Sequence, residues 1–204
     1  MSTERDALRG VASRLAPGFE GYGVYLSLIT VDDADELAHA AAATDDDAFR
    51  WTFVPRTAAD WRATIDGYNT TGRLVFVVRS DDEVVGTTGY YDLEFIFDRD
   101  DPDACEVGHT WYIPSVRGAA INPACKLLLL GHAFETWGAG RVALRTDARN
   151  AGSRAAMLKL GLTYEGVRRR HMLGADGTFR DSAYFSAVPE EWPAIRQGLL
   201  RRLA

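Results

Sequence analysis

The stretch from Ala104 to Gly161 constrains this chain more than any other. It opens as an apolar strand, Ala104 to Ile113, and Pro114 stops it because proline supplies no ladder donor. A turn of small residues containing Gly118 leads into a helix from about Ala120 to Trp137. Leu127, Leu128, Leu130, Ala133 and Phe134 give that helix a broad apolar face. Gly138 and Gly140 end it, Arg141 to Thr146 reads as a strand, and Asn150 to Leu160 reads as a helix closed by Gly161. Strand and helix alternating in this way build a layered α/β domain.

The flanking sequence supplies the other strands. Val24 to Ile29 is apolar and β-branched. Thr30, Asp32 and Asp33 mark a helix start that Ala34 to Ala43 continues and Asp45 to Asp47 break. Thr57 caps a second helix, Ala58 to Thr70, which Gly72 ends. Leu74 to Arg79 and Glu83 to Tyr91 form a hairpin about Asp81-Asp82. Asp98 to Asp103 is a solvated connection. Thr163 to Arg170 and Asp181 to Ala187 pair around Asp176-Gly177, and Glu190 to Leu203 is an amphipathic helix. The expected architecture is one α/β domain with a single mixed, mostly antiparallel central sheet flanked by helices. Residues 1–19 form a polar N-terminal arm ending at Pro17-Gly18, and residues 20–204 form the domain. The 204 residues, 47% of them hydrophobic, suffice for one full core.

The net charge of −6 argues against nucleic acid and anionic membranes as partners, since both are bound through Lys and Arg. It is compatible with a cationic substrate, and equally with a surface that merely keeps the chain soluble. Cys105 and Cys125 have no C-x-x-C partner, and no histidine cluster has metal spacing. No metal site is expected, and both thiols read as small buried hydrophobes. No apolar signal region opens the chain and the longest apolar run is Leu127 to Leu130, so a cytoplasmic location is expected.

The segment from Ile113 through Val116, Arg117, Gly118, Ala119 and Ala120 to Ile121 passes from a strand, through small residues, to a helix start. The first turn of a helix carries unpaired N–H groups and a partial positive charge, which suits a phosphate. Small residues let the backbone approach an anion, and Arg117 can add a charged contact. A glycine in any strand-to-helix turn would look similar, so the turn alone leaves a purely structural role open.

The context adds to it. Glu106-Val-Gly-His-Thr-Trp-Tyr-Ile-Pro-Ser-Val-Arg-Gly-Ala-Ala-Ile-Asn122 resembles motif A of the GNAT superfamily of acyl-CoA-dependent N-acyltransferases, matching the core Arg117-Gly118-x-Ala120 of its pyrophosphate turn. Arg141 to Asn150, then Asn150-x-x-Ser153-Arg154 and Leu160-Gly161-Leu-Thr-Tyr-Glu165-Gly166, are similar to consecutive blocks of the RimJ/RimL-type branch. The resemblance spans about residues 24 to 188 and is weakest before residue 74. His109 stands where that branch more often has Tyr.

The resemblance implies acetyl-CoA as donor and a primary amine as acceptor, either a protein N-terminus or a small molecule. It implies cofactor contacts from Trp111, Tyr112, Ile113, Val116 to Ile121, Asn150 and Ser153. Attack of a neutral amine on a thioester needs a base, donors for the oxyanion and a proton for the leaving thiolate. Main-chain N–H groups around Tyr112 and Ile113 would be the oxyanion donors. Ser153 is the candidate acid, with a helix-capping role as the alternative reading. Glu106 is the first candidate base and His109 the second; a packed, paired side chain is the alternative for each. Glu165 would support the turn at Gly166, and no motif places His171 in the cleft. The N-terminal arm and the last helix are candidate contact elements for a homodimer. A CoA-binding regulator without chemistry is the alternative function. A nucleotide-binding protein is disfavoured, because neither G-x-x-x-x-G-K nor G-x-G-x-x-G occurs.

Overall fold

The protein is seen in a computed structural model that describes residues 15–204; the first fourteen positions of the expected arm lie outside the described residues. Eight strands form one sheet in the order β1-β2-β3-β4-β5-β6-β8-β7. They are β1 Phe19–Gly21, β2 Val24–Leu28, β3 Leu74–Ser80, β4 Glu83–Glu94, β5 Ala104–Tyr112, β6 Arg141–Asp147, β7 Thr163–Leu173 and β8 Phe179–Ala187. The helices are α1 Ala34–Ala42, α2 Ala58–Thr70, α3 Ile121–Gly131, α4 Ala151–Leu160 and α5 Trp192–Arg201. Strand β1 was not expected. Its three residues are too few to show a period, and only pairing with β2 (Phe19↔Leu26) reveals it.

Local chemistry explains most element ends. Thr57 accepts from Asp60 N (3.1 Å) and starts α2. Asp81 and Asp82 have φ of 50° and 63°, the left-handed pair that a two-residue hairpin turn requires, and they join β3 to β4. α3 does not run unbroken to Trp137. It passes at His132–Thr136 into one π-helical turn, in which Trp137 N donates to His132 O at 3.1 Å. The wider turn brings His132 Nε2 and Trp137 Nε1 onto one acceptor, the carbonyl of Leu15, at 2.7 and 3.0 Å.

Two cores cover the two faces. Leu37, Trp61 and Ile65 of α1 and α2 pack with Val75, Val77 and Trp111 on one face. On the other, α3, α4 and α5 bring Leu129, Leu130, Leu160, Ile195 and Leu199 against Phe76, Tyr90 and Phe185.

All neighbouring strands are antiparallel except β5 and β6. Those two are parallel and pair only at Ala104↔Arg141, Cys105↔Val142 and Glu106↔Ala143. Beyond Glu106, β5 stays with β4 as far as Tyr112, while β6 stays with β8 as far as Asp147. The sheet is therefore split in its middle. A register shift between Thr87 and Gly89, opposite a left-handed His109 (φ 50°), accompanies the split.

Candidate active site at the split between two parallel strands

Because β5 and β6 are parallel, their carboxyl ends lie at the same edge of the sheet, and each leads directly into a helix, α3 and α4. A crevice outside the carboxyl ends of parting strands is where open α/β sheets hold ligands.

The β5–α3 turn leaves several amides free. Pro114–Val116 makes one 3-10 turn, Gly118 has φ of 79°, and α3 begins at Ile121. Arg117 N and Ala119 N bond within the turn, to Pro114 O and Val116 O. The amides of Gly118, Ala120, Ile121 and Asn122 have no backbone partner among the described residues, and they cluster at the amino end of an eleven-residue helix. Arg117 is exposed and its Nε donates to Tyr112 O at 2.9 Å, which ties the turn to the strand end. Val116 packs against the apolar core.

The end of β5 needs one correction. Ile113 N donates to Val85 O at 2.9 Å, so it cannot serve as an oxyanion donor. Antiparallel pairs alternate between bonded and non-bonded residues. With Ile113 bonded across to β4, Tyr112, opposite Gly86, turns its N–H away from β4 and toward the split. The Trp111 and Tyr112 side chains lie on opposite faces, with Trp111 against Phe49 and Trp61 and Tyr112 in the other core.

Across the split, Asn150 is the N-cap of α4, and its Oδ1 accepts from Ser153 N at 3.0 Å. The capping duty thus falls to Asn150. The Ser153 hydroxyl has no partner among the described residues and is half-buried.

Glu106 sits at the apex, at the last residue where β5 and β6 pair. It is 4% exposed. Tyr91 OH donates to its Oε1, and Arg145 Nη1 donates to its Oε2 at 2.9 Å. Burial raises its carboxyl above the usual carboxylate range, against the lowering pull of Tyr91 and Arg145. His109 lies between Tyr68 and Tyr91, ring centroids 5.0 and 4.9 Å away. Its Nε2 is inaccessible and unpartnered. Burial, with Arg73 and Arg145 nearby, lowers its pKa to about 4, so its ring is neutral near pH 7.

Glu106 belongs to a polar row that motif reading did not find. Arg145 also reaches Asp92 at 3.2 Å and Tyr184 OH at 3.3 Å. His171 Nδ1 meets Ser182 Oγ at 3.0 Å, and its Nε2 lies 3.4 Å from Tyr184 OH. His171, which no motif placed in the cleft, thus joins Glu106 through Tyr184 and Arg145. Only three-dimensional pairing reveals this, because the residues come from β4, β5, β6, β7 and β8. Glu165 stands apart; it is clamped by Arg141 and by Ser186 Oγ (2.7 Å), beside the bulge at Gly166. Both cysteines are buried. Burial pushes the Cys125 thiol up to about 11 and that of Cys105 higher, which leaves them unreactive.

Residues 24–163 match the Acetyltransferase (GNAT) domain family, and the chain belongs to it. YdaF of Bacillus subtilis (strain 168), provisionally named a ribosomal N-acetyltransferase, is 25% identical over 177 residues, 83% of this chain and 93% of that protein. A GCN5-related N-acetyltransferase from Brucella melitensis has a TM-score of 0.80 at 27% identity, covering 92% of this chain and 85% of its own. Mycobacterium smegmatis RimJ, solved in complex with CoA-disulfide, has a TM-score of 0.73 at 23% identity, covering 87% and 88%; that likeness is one of fold. As a member of the GNAT family the protein is an acetyltransferase, with acetyl-CoA as donor. The free amides at the start of α3 and the split beside Tyr112 fit such a donor. No helix among the described residues is long and apolar enough to cross a membrane.

Proposed function

We propose that the protein transfers acetyl to a primary amine by direct attack on the thioester, the amine entering over the polar row that ends at Glu106. The observation that carries this reading is the position of Glu106, buried at the apex of the split with a raised pKa. Acetyl-CoA supplies the acetyl group as an activated thioester. The turn from Val116 to Ile121 holds its pyrophosphate on the free amides of Gly118, Ala120 and Ile121, and Trp111, Ile113 and Asn150 border the arm between. The Tyr112 N–H, turned to the open side of β5, donates to the carbonyl oxygen.

Glu106 takes a proton from the acceptor ammonium, and the neutral amine then attacks the thioester carbon. The raised pKa of Glu106 brings it closer to working pH than an ordinary carboxylate, whereas His109, with a pKa of about 4, is a weaker base. His109 instead packs against Tyr91, the ring whose hydroxyl donates to Glu106. Ser153, hydroxyl free, supplies the proton to the departing sulfur as the C–S bond breaks and regains one from the amine nitrogen, which becomes the amide. YdaF, named for ribosomal proteins, supports a peptide N-terminus as acceptor ahead of a small amine.

Thiol release from acetyl-CoA with an amine panel tests the reading. Glu106→Gln is expected to lower kcat by ~10²–10⁴-fold. Wild-type kcat/KM should fall as pH drops through the raised Glu106 pKa, because the base must be ionised; the Gln variant should lose that acid limb. A Gln variant that keeps both the rate and the limb sinks Glu106 as the base. CoA binding with no turnover on any amine would favour a regulator.

A further inference from the structure

Away from Glu106, the polar row continues past Tyr184 along β8. Arg180, Ser182, Tyr184 and Ser186 alternate with core-facing Ala183, Phe185 and Ala187, so the period of two places them on one face. Across β6, Ser182 lies opposite Asp147 and Tyr184 opposite Arg145. Arg180 is the next position on that face.

Two neighbouring guanidiniums have their carboxylates, while Arg168, opposite Ser182 on β7, is exposed to solvent. Arg145 pairs with Glu106 and Asp92, and Arg149 with Asp147 (2.8 Å) and Asp176 (2.7 Å). Arg180 has neither an ion pair nor a hydrogen bond to its guanidinium among the described residues. Its Nε is shut off from solvent and unpartnered. Burial and the charge of Arg145 lower its pKa, with Asp147 opposing. Arg145, Arg168 and Arg180 all act to lower the pKa of His171, after burial itself. At His171 these three guanidiniums oppose Asp92, whereas Arg180 itself also feels the charges of Asp147 and Glu106. A half-buried cation with an orphaned donor is costly to leave empty, and a guanidinium fork matches a carboxylate.

We propose that Arg180 is a specificity residue that binds a carboxylate on the acceptor, so that the substrate class is an amine with an acidic group close to it. This rests on the reading of the split as the acetyl-transfer site. The amine lies toward Glu106 and the carboxylate toward Arg180, both on the face of the row. A peptide with an acidic residue next to its free N-terminus and a free amino acid share this chemistry.

The full-length protein, first shown to bind CoA by calorimetry, is assayed with matched pairs. Ser-Asp-Ala-Ala is compared with Ser-Asn-Ala-Ala, both C-terminally amidated, and alanine is compared with alaninamide. The acidic member of at least one pair should have a kcat/KM about 10- to 100-fold higher, mainly through KM. The pair that discriminates tells peptide from amino acid. Arg180→Gln should bring the ratio toward one, and Arg180→Lys should restore part of it. Equal rates within both pairs, or a preference that survives Arg180→Gln, overturn the proposal. Calorimetry of the CoA complex with the acidic compounds decides separately from turnover. Binding lost in Arg180→Gln supports the carboxylate site even if no acetylation is seen, in which case the acetyl-transfer reading alone fails; no binding of either acidic compound overturns the site.

Discussion

Lys126 is a charged group in a core. It is 4% exposed on α3, and among the described residues its Nζ meets only hydroxyls, Thr110 Oγ1 at 3.1 Å and Thr88 Oγ1 at 3.4 Å. Burial lowers its pKa to about 8. Between that value and its ordinary one near 10.5, the unfolded chain holds a proton that the folded chain has released. Stability contributed by this residue therefore rises with pH across that window, and the penalty is complete below it. Lys126→Met should raise stability at pH 7 by ~2–3 kcal/mol and flatten the rise above pH 8 in denaturant titrations. Thr88 and Thr110 keep each other satisfied at 2.8 Å when the ammonium is gone. An unchanged pH profile in the Met variant would contradict a depressed lysine. Nothing in the string Cys125-Lys126-Leu127 marks this lysine as buried; a helix of that composition shows a charge, and only the sheet beneath it shows where the charge goes.

At the scale of elements, the tight approach of β4 to its neighbours depends on glycine. A Cβ on Gly86 (φ 156°) would run into the backbone of Trp111, and one on Gly89 would run into the backbone of Leu74 and Val75. Gly86→Ala should destabilise the fold by ~3 kcal/mol or more and weaken CoA binding, because it disturbs the strand that fixes Tyr112. Chemical denaturation with a parallel CoA titration checks both; a variant of wild-type stability would show that β4 can shift freely. Most elements could be read from the sequence because their signals are local. Thr57, the Asp81-Asp82 pair, Pro114 and Gly161 each act on the chain beside them. The split between β5 and β6 had no such signal, since it is a property of two strands separated by a helix. The π turn at His132 was hidden for the same reason, as its reward is a contact with Leu15. The candidate site divides along the same line. The turn at Arg117 to Ala120 and the cap at Asn150 are local motifs, whereas Tyr91, Arg145, His171 and Tyr184 meet only through sheet pairing.

At the scale of the molecule, helices cover one face of the sheet and, on the other, only its β1–β5 half; the sheet is parted at its centre, so a ligand in the gap joins the β1–β5 half to the β6–β8 half. A ligand bound only by the folded state, at about a hundred times its Kd, adds ~2.7 kcal/mol. For a chain of this size each kcal/mol moves Tm by about 2–4 °C. CoA should therefore raise Tm by ~5–10 °C in a thermal-shift experiment, with ATP and NAD leaving it in place; stabilisation by either nucleotide without CoA would place the anion site in a different chemistry.

The carbonyl of Leu15 has a consequence for handling the protein. One oxygen at the very start of the described chain receives two ring nitrogens from the far end of α3, and both rings are packed, Trp137 against Tyr90 and His132 against Phe19. Trimming the chain past that oxygen would strand two donors in an apolar setting, at ~1–3 kcal/mol each. A cleavage site or fusion joint is therefore best kept several residues upstream of Leu15, where it leaves this anchor intact.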